Sequence, residues 1–525
     1  MKIPSNDLFE LIKSLSQSEK IYFKKFSSVF SQNGDKNYIK LFKEIEKQSA
    51  KGEAGSYDEN KIKQKFKNEN FIKQLHVTKI YLYNLILKSL YLQNIKFDDL
   101  SKLRETINHI EILSRKRLHG QCIKIIKRAK TIAEEGGFLI ELLRIKSYEI
   151  SSEEFSPSMN YRKRIVNDKK LFDETKNIIN LIQNEFDLRR YNNDVYNYMY
   201  KDKINNKDIN KLKQLLNEPL LKSEMTALTF SSRAYYYSAK ANAYNIIGEI
   251  EKDYEYLKKS IDHMERHPEK LKSRLSRYIE VINNFLMSCW ENKKYDDYGI
   301  YMEKLVKIST KQIKNRLAKE KIDAVIFKTY YTHSLHLSLS SGVFKDNYQS
   351  LPEIINGFHR YKNHIENNFQ LIFYFSFTHI CFIAQDYNNS LKWINHILNE
   401  KDYEAKEDYY SFGLLFNLII HFELNNFQLL ESIAKNTLNH LNKMKRANNF
   451  EKLFIDFIRK YSIEGDEKKR QMLLKDFGAV MERDTDLSKE IGPELFDFHA
   501  WVDAKIQGRK FEEIIREKFN QVRQN

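Results

Sequence analysis

His333 and His336 stand three residues apart, a spacing that places two imidazoles on one face of a helix where they could share a metal ion. No Cys or carboxylate lies close in sequence to complete a four-ligand set, so packing is their expected role and no metal is expected. Cys122, Cys289 and Cys381 fall on apolar faces of helical patterns, where a thiol behaves as a small buried hydrophobe and not as a nucleophile. The chain carries no G-x-x-x-x-G-K-[ST], G-x-G-x-x-G, H-E-x-x-H or G-x-S-x-G, and its few glycines sit nearly all in turns. The expectation is a protein without a catalytic centre or cofactor.

Two constellations suit binding. Aromatic residues cluster at Tyr235-Tyr236-Tyr237, Tyr330-Tyr331, Phe373-Tyr374-Phe375 and Tyr409-Tyr410. Adjacent helical residues point about 100° apart, so when one ring of a cluster enters a core its neighbour is available to a groove. Tyr236, Tyr330, Tyr331, Phe373, Phe375, Tyr409 and Tyr410 are therefore candidate groove residues for a protein or peptide partner. The second constellation is basic: Arg115, Lys116 and Arg117, continued by Lys124, Lys127, Arg128 and Lys130 with no acid between. Lys124, Lys127 and Arg128 share a helix face, a layout for phosphates or an acidic protein, although a solvated outer face is the common use of such a run.

The elements that must position these residues are helices. Only 15 Gly and 6 Pro in 525 residues leave too few turn formers for an all-β chain, while 42% hydrophobic and 30% charged residues supply a core and a solvated face. From Gln121 to Glu134 the apolar residues Cys122, Ile125, Ile126, Ala129, Ile132 and Ala133 trace a helical stripe, and from Tyr254 to Met264 so do Tyr254, Leu257, Ile261 and Met264, with Pro268 beyond. The stretch from Asn367 to Gln385 is uncharged but holds too many polar residues for a bilayer span, so it predicts a buried helix. The formal charge of +17 invites a polyanion partner, yet lysine outnumbers arginine roughly three to one and arginine is the better phosphate fork. Three cysteines form no disulfide framework, and Pro4, Asp7 and Glu10 interrupt any leader, so a cytoplasmic protein without membrane insertion is expected.

A turn signature recurs through the middle of the chain: a polar pair or Gly, then an apolar or aromatic anchor opening a second helix. The anchors are Ile250, Tyr295, Tyr387 and Phe427, with a weaker example at Gly342-Val343-Phe344, about 40 to 50 residues apart. In the best repeat Tyr237, Ala241, Tyr244, Gly248, Leu257 and Ser260 follow the tetratricopeptide pattern, while Lys240 and Asp253 depart from it and the terminal Pro is missing. Tyr331 and Tyr374 occupy the place of Tyr237, and Cys289 and Cys381 that of Tyr244. The chain thus resembles degenerate tetratricopeptide-repeat proteins and is similar to a group of bacterial proteins of that kind. The resemblance implies an all-α, right-handed solenoid of helical hairpins that binds a partner segment in its concave face.

The expected organisation is an N-terminal helical region over 1–100, a tetratricopeptide-like α-solenoid over 101–469 and a C-terminal helical cap over 470–525. The expected function is a non-enzymatic scaffold or adaptor. An alternative is a nucleic-acid-associated regulator, with a helix-turn-helix-like segment whose turn would fall at His76-Val77 and whose recognition helix Thr78 would open. That helix argues against itself, since Ile80, Tyr81, Leu82, Tyr83, Leu85, Ile86, Leu87 and Leu90 leave few groups for base edges.

Overall fold

The apolar stripes of the sequence become helices throughout. In the computed structural model, residues 5–29, 37–49, 57–95, 99–154, 161–201, 203–311, 313, 316–399, 407–443, 449–483 and 496–524 are described, and every regular element among them is helical. Five helices come first: α1 (Ser5–Ser14), α2 (Gln17–Val29), α3 (Asn37–Ser49), α4 (Glu59–Lys65) and α5 (Leu75–Asn94). There follow α6 (Asp99–Arg115), α7 (His119–Gly136), α8 (Leu139–Glu154), α9 (Tyr161–Tyr198), α10 (Asn206–Leu216), α11 (Pro219–Lys222), α12 (Phe230–Ile247), α13 (Ile250–Glu265), α14 (Pro268–Leu271) and α15 (Leu275–Glu291). Next come α16 (Tyr295–Lys307), α17 (Arg316–Ser341), α18 (Lys345–Gln349), α19 (Leu351–Tyr361), α20 (Asn367–Ile383), α21 (Tyr387–Leu398) and α22 (Glu407–Glu423). The last are α23 (Phe427–Lys443), α24 (Asn449–Ile463), α25 (Glu467–Arg483), α26 (Phe498–Gln507) and α27 (Phe511–Gln524). Among the described residues no helix is long and apolar enough to cross a membrane. The uncharged stretch from Asn367 is the buried helix α20, with every residue from Phe373 to Ile383 in the core.

One backbone motif recurs at the helix junctions. Arg117, Gly137, Gly248, Lys293, Gln385 and Asn425 each take a left-handed φ between 56° and 86°. The next amide then reaches back to close the helix: Leu118 to the Leu113 carbonyl at 3.0 Å, Phe138 to Ala133 at 2.8 Å, Glu249 to Tyr244 at 2.9 Å, Lys294 to Cys289 at 2.8 Å, Asp386 to Cys381 at 2.8 Å and Asn426 to His421 at 3.1 Å. This is the Schellman closure, and the following helix starts within a residue or two, so the two helices fold back on each other as a hairpin. The acceptors Tyr244, Cys289 and Cys381 are the positions that the repeat alignment equates. The same closure also joins α6 to α7 and α7 to α8, extending the pattern into the region upstream of Tyr237.

Two compact units result, residues 1–281 with 309–320, and residues 282–308 with 321–525. The division passes through α15. In the first unit, α1 to α5 share a core with Leu8, Ile12, Phe23, Phe42, Ile62, Leu82 and Ile86 at its centre. Separate cores join α6, α7 and α8 through Leu103, Ile107, Ile126 and Ile145, and join α9, α10 and α12 through Leu188, Leu212, Tyr236 and Ala239. Lys146, 1% exposed, is held by Glu149 at 2.8 Å and by Glu174. Burial alone would depress this ammonium, but the hydrogen bonds to the two carboxylates outweigh it and hold the group charged.

In the second unit a large core runs from Leu335 through Phe373, Phe416 and Phe454 to Trp501. Leu474, Phe477, Met481, Phe496 and Phe498 belong to that core, while Ala500, Ala504, Ile514 and Ile515 form a small core of their own between α26 and α27. The reason is composition: α25 and α26 present large apolar groups that burial stabilises by about 1.5–3 kcal/mol each, more than a solvated cap would gain from them.

The proposed turn at His76-Val77 lies inside α5, where the Thr78 hydroxyl donates to the Gln74 carbonyl at 3.2 Å. The break between α4 and α5 falls earlier, at a short 3-10 segment over Asn70–Gln74. Nor is α5 buried all round, since Val77, Tyr81, Leu87 and Tyr91 are exposed. The run Ser49-Ala-Lys-Gly-Glu-Ala-Gly-Ser56, whose small residues predict a loop, falls, apart from Ser49, outside the described residues.

Candidate functional site

Hairpin ends of the second unit lie beside the C-terminal helices, and a cleft forms between them. The left-handed turns at Lys293, Gly342 and Gln385 expose the ends of α15, α17 and α20, and α27 packs against them. Gly342 is the tightest approach. A Cβ built there would stand 2.7 Å from the Glu512 carbonyl oxygen and 3.0 Å from the Arg516 nitrogen, so only glycine admits α27 at this distance. The Arg516 guanidinium donates back to the Gly342 carbonyl at 3.1 Å.

Beside this contact lies a cleft of about 530 Å³, lined among others by Trp290, Tyr295, His336, His379, Phe496 and Phe519. Phe519 of α27 stacks on Trp290 with centroids 5.9 Å apart and meets Tyr295 edge-on at 5.6 Å. His336 meets Trp290 at 4.7 Å, and Phe496 stacks on His379 at 5.6 Å. Asp497 caps α26 by accepting from the Ala500 amide at 2.8 Å and pairs with Lys518 of α27 at 2.9 Å. Glu423, at the end of α22, accepts from the Trp501 indole at 2.8 Å and pairs with Lys505 at 2.5 Å. The C-terminal helices are thereby tied to α15, α17, α20 and α22 in turn.

The cleft joins aromatic groups with the charged Glu291, Lys293, Asp497 and Lys518. Burial holds His379 uncharged and lowers it to about 3, against a hydrogen bond to the Phe375 carbonyl, and its Nε2 has no partner among the described residues. Burial, with His336 nearby, lowers His333 to about 4; its Nε2 donates to Asn283 at 3.2 Å. His333 and His336 thus face different neighbours, and no group of three potential metal ligands occurs among the described residues. All three cysteines are buried, and burial pushes the Cys381 thiol up to about 12.

The aromatic residues singled out from sequence do not gather in one groove. Tyr236 belongs to the first unit and the other six to the second. Tyr236, Phe373 and Phe375 are at most 4% exposed and cannot touch a partner, a correction with a packing cause. Tyr236, Tyr244 and Tyr256 surround the buried ammonium of Lys240 at 5.8 to 5.9 Å, which also explains why Lys stands where the repeat pattern has Leu. Phe373 packs on Phe358 and Phe327, and Phe375 on Tyr409 and Phe412. Tyr330, Tyr331, Tyr409 and Tyr410 are half-buried; Tyr331 rests on Phe327 and Tyr410 on His440.

The basic residues Arg115, Lys116, Arg117, Lys124, Lys127 and Arg128 are all exposed on α6, α7 and the turn between them. Arg115 pairs with Glu111 at 2.5 Å, and Lys130 lies 3.6 Å from Glu174, so the run is less uniformly positive in space than in sequence. Sequence reasoning missed Trp290, His379 and Phe519 as parts of one site. The signal was present in the aromatic residues of the otherwise charged C-terminal stretch, which single-sequence periodicity assigns to a cap. No protein-family model, curated protein or solved structure matches this chain.

Proposed function

We propose that the chain is a non-enzymatic scaffold, built as a right-handed solenoid of tetratricopeptide-like hairpins, that docks a helical segment of a partner protein along the hairpin ends of its second unit. One observation carries this reading: the chain's own amphipathic α27 already lies there, seated through Phe511, Ile515 and Phe519, with Gly342 left bare to admit it. Helix-in-groove recognition reads such anchors at i and i+4, the spacing of these three residues. In this reading α27 is a self-ligand that a partner helix replaces.

The test is capture of partners from the native cells by the tagged full chain and by a chain ending at Gly508, each divided into nuclease-treated and untreated halves. A stoichiometric protein enriched on the shortened chain, resistant to nuclease and displaced by a synthetic peptide of residues 509–524, is the expected result. Equal capture by both chains, or no displacement by the peptide, refutes the docking site. The exposed cations of α6 and α7 favour a second reading, polyanion binding. It requires partners that vanish with nuclease and an affinity that falls steeply with salt.

A further inference from the structure

A second surface, on α9 of the first unit, is independent of the cleft. This helix runs 38 residues, about 57 Å, and its buried side carries Leu171, Ile178, Leu188 and Val195. Beside that buried side runs a rank of apolar residues left exposed among the described residues: Ile165, Phe172, Ile179 and Phe186, by 50, 60, 50 and 55%. Each stands seven residues from the next, so the rank extends about 31 Å before Asn193 ends it. A strict seven-residue period on an exposed face is the pattern of a seam between helices, since a residue returns to nearly the same side every two turns.

The charges beside the seam select the occupant. Four residues on from the first, second and fourth members stand Lys169, Lys176 and Arg190, all exposed, about 40° around the helix. Lys169 and Lys176 make no ion pair among the described residues, and Arg190 lies over Tyr191 at 4.8 Å. The acids Asp173 and Asp187 lie farther round, and Asp187 accepts from Gln183 at 3.0 Å. The geometry points to a docking site for a partner's amphipathic helix with an apolar heptad seam and acidic flanking residues. A second copy of this chain fits poorly. In an antiparallel pair of α9 helices the basic rank meets itself, and in a parallel pair it faces the flank of Asp168, Thr175, Ile182 and Arg189, where one acid is offset by one base. An anionic membrane also fits poorly, because the stripe widens only at Val166 and is bounded by Asp168 on one side and Asp173 and Asp187 on the other.

The test uses the full chain and two labelled synthetic peptides of four heptads, with Ile and Leu at the seam and either Glu or Lys at every flanking position; like charges keep each peptide monomeric. Fluorescence anisotropy at about 0.1 M salt should show the Glu peptide binding at least about 30-fold more tightly than the Lys peptide, with the difference shrinking at about 1 M salt. The double variant Phe172→Glu/Ile179→Glu, at exposed positions that leave folding intact, should weaken the Glu peptide by about 100-fold. The triple variant Lys169→Glu/Lys176→Glu/Arg190→Glu should reverse the preference between the peptides. Equal binding of both peptides, no binding of either at about 100 μM, or insensitivity to both variants overturns the proposal. So does a concentration-dependent dimer, or binding to vesicles of anionic phospholipid, that the double variant abolishes, since those outcomes assign the seam to a second copy or to a membrane.

Discussion

Replacing Gly342 with Ala isolates the contact that seats the C-terminal helix. Two penalties arise there: the left-handed φ of 66°, which an L side chain adopts at a cost of about 1–2 kcal/mol, and the approach of the new methyl to the Glu512 carbonyl oxygen at 2.7 Å. Ordinary contact requires at least 3.4 Å, so α27 must retreat by several tenths of an ångström. A gap of about 0.5–1 Å forfeits a quarter to a half of the dispersion energy on that side. Ile514 and Ile515, 5 and 9% exposed, contribute about 1.5–3 kcal/mol each when buried, so the retreat adds about 1–3 kcal/mol to the backbone penalty. Gly248 supplies the control, because its φ is 86° and a Cβ there meets nothing within 4 Å. Gly248→Ala should therefore destabilise by about 1–2 kcal/mol and Gly342→Ala by about 2–5 kcal/mol in denaturant unfolding. Hydrogen exchange over residues 511–524 should quicken only in Gly342→Ala. Equal losses from the two variants, with unchanged exchange in 511–524, would show that the close approach does not hold α27 in place.

Acid should loosen the second unit before its carboxylates titrate. His333 and His379 are lowered to about 4 and about 3 by burial, below an unfolded value near 6.5, so the unfolded chain binds more protons; their stabilisation is complete above pH 6.5 and is lost as pH falls toward 4. At pH 5 each histidine forfeits about 2 kcal/mol, and in His379→Leu the fall measured by denaturant titration between pH 7.5 and 5 should shrink by about that amount. At the turns, Gln385→Gly relieves a φ of 60° and should stabilise by about 0.5–1 kcal/mol, read as a raised denaturation midpoint; a lowered midpoint contradicts the assigned backbone. Lys146→Ala leaves Glu149 and Glu174 with only the more distant Lys130, at 3.9 and 3.6 Å, and should destabilise the first unit by about 1–3 kcal/mol, whereas Lys146→Met, which keeps the packing, should cost less. Equal losses from the two substitutions would mean that the packed stem contributes nothing, and a negligible loss from Lys146→Met would mean that charge pairing does not stabilise this position.

Much of the helical framework was legible in the sequence, because helix formation and its termination are local. The stripes of α7 and α13 and the buried character of α20 follow from the identity of successive residues. The hairpin turns were legible too, since each needs only a residue that tolerates the left-handed region and an apolar residue to open the next helix. Even so, Lys293, Gln385 and Asn425 show that a polar residue serves where glycine would be read more easily.

The candidate site was less legible because its parts are distant in the chain. Trp290 and Phe519 meet across more than 200 residues, and neither carries a local mark that distinguishes a cleft from a core. Tyr236 failed as a groove residue because the burial of Lys240 beside it depends on Tyr244 and Tyr256, a cage that no period announces. The basic residues of α6 and α7 stayed exposed as expected, while Glu174, far along in sequence, came to stand beside Lys130. What the sequence determined alone was where helices begin, end and turn, through forces acting within about four residues. What only tertiary structure decided was which aromatic faces were consumed by packing and which remained open, because that depends on long-range burial, and burial depends on every neighbour at once.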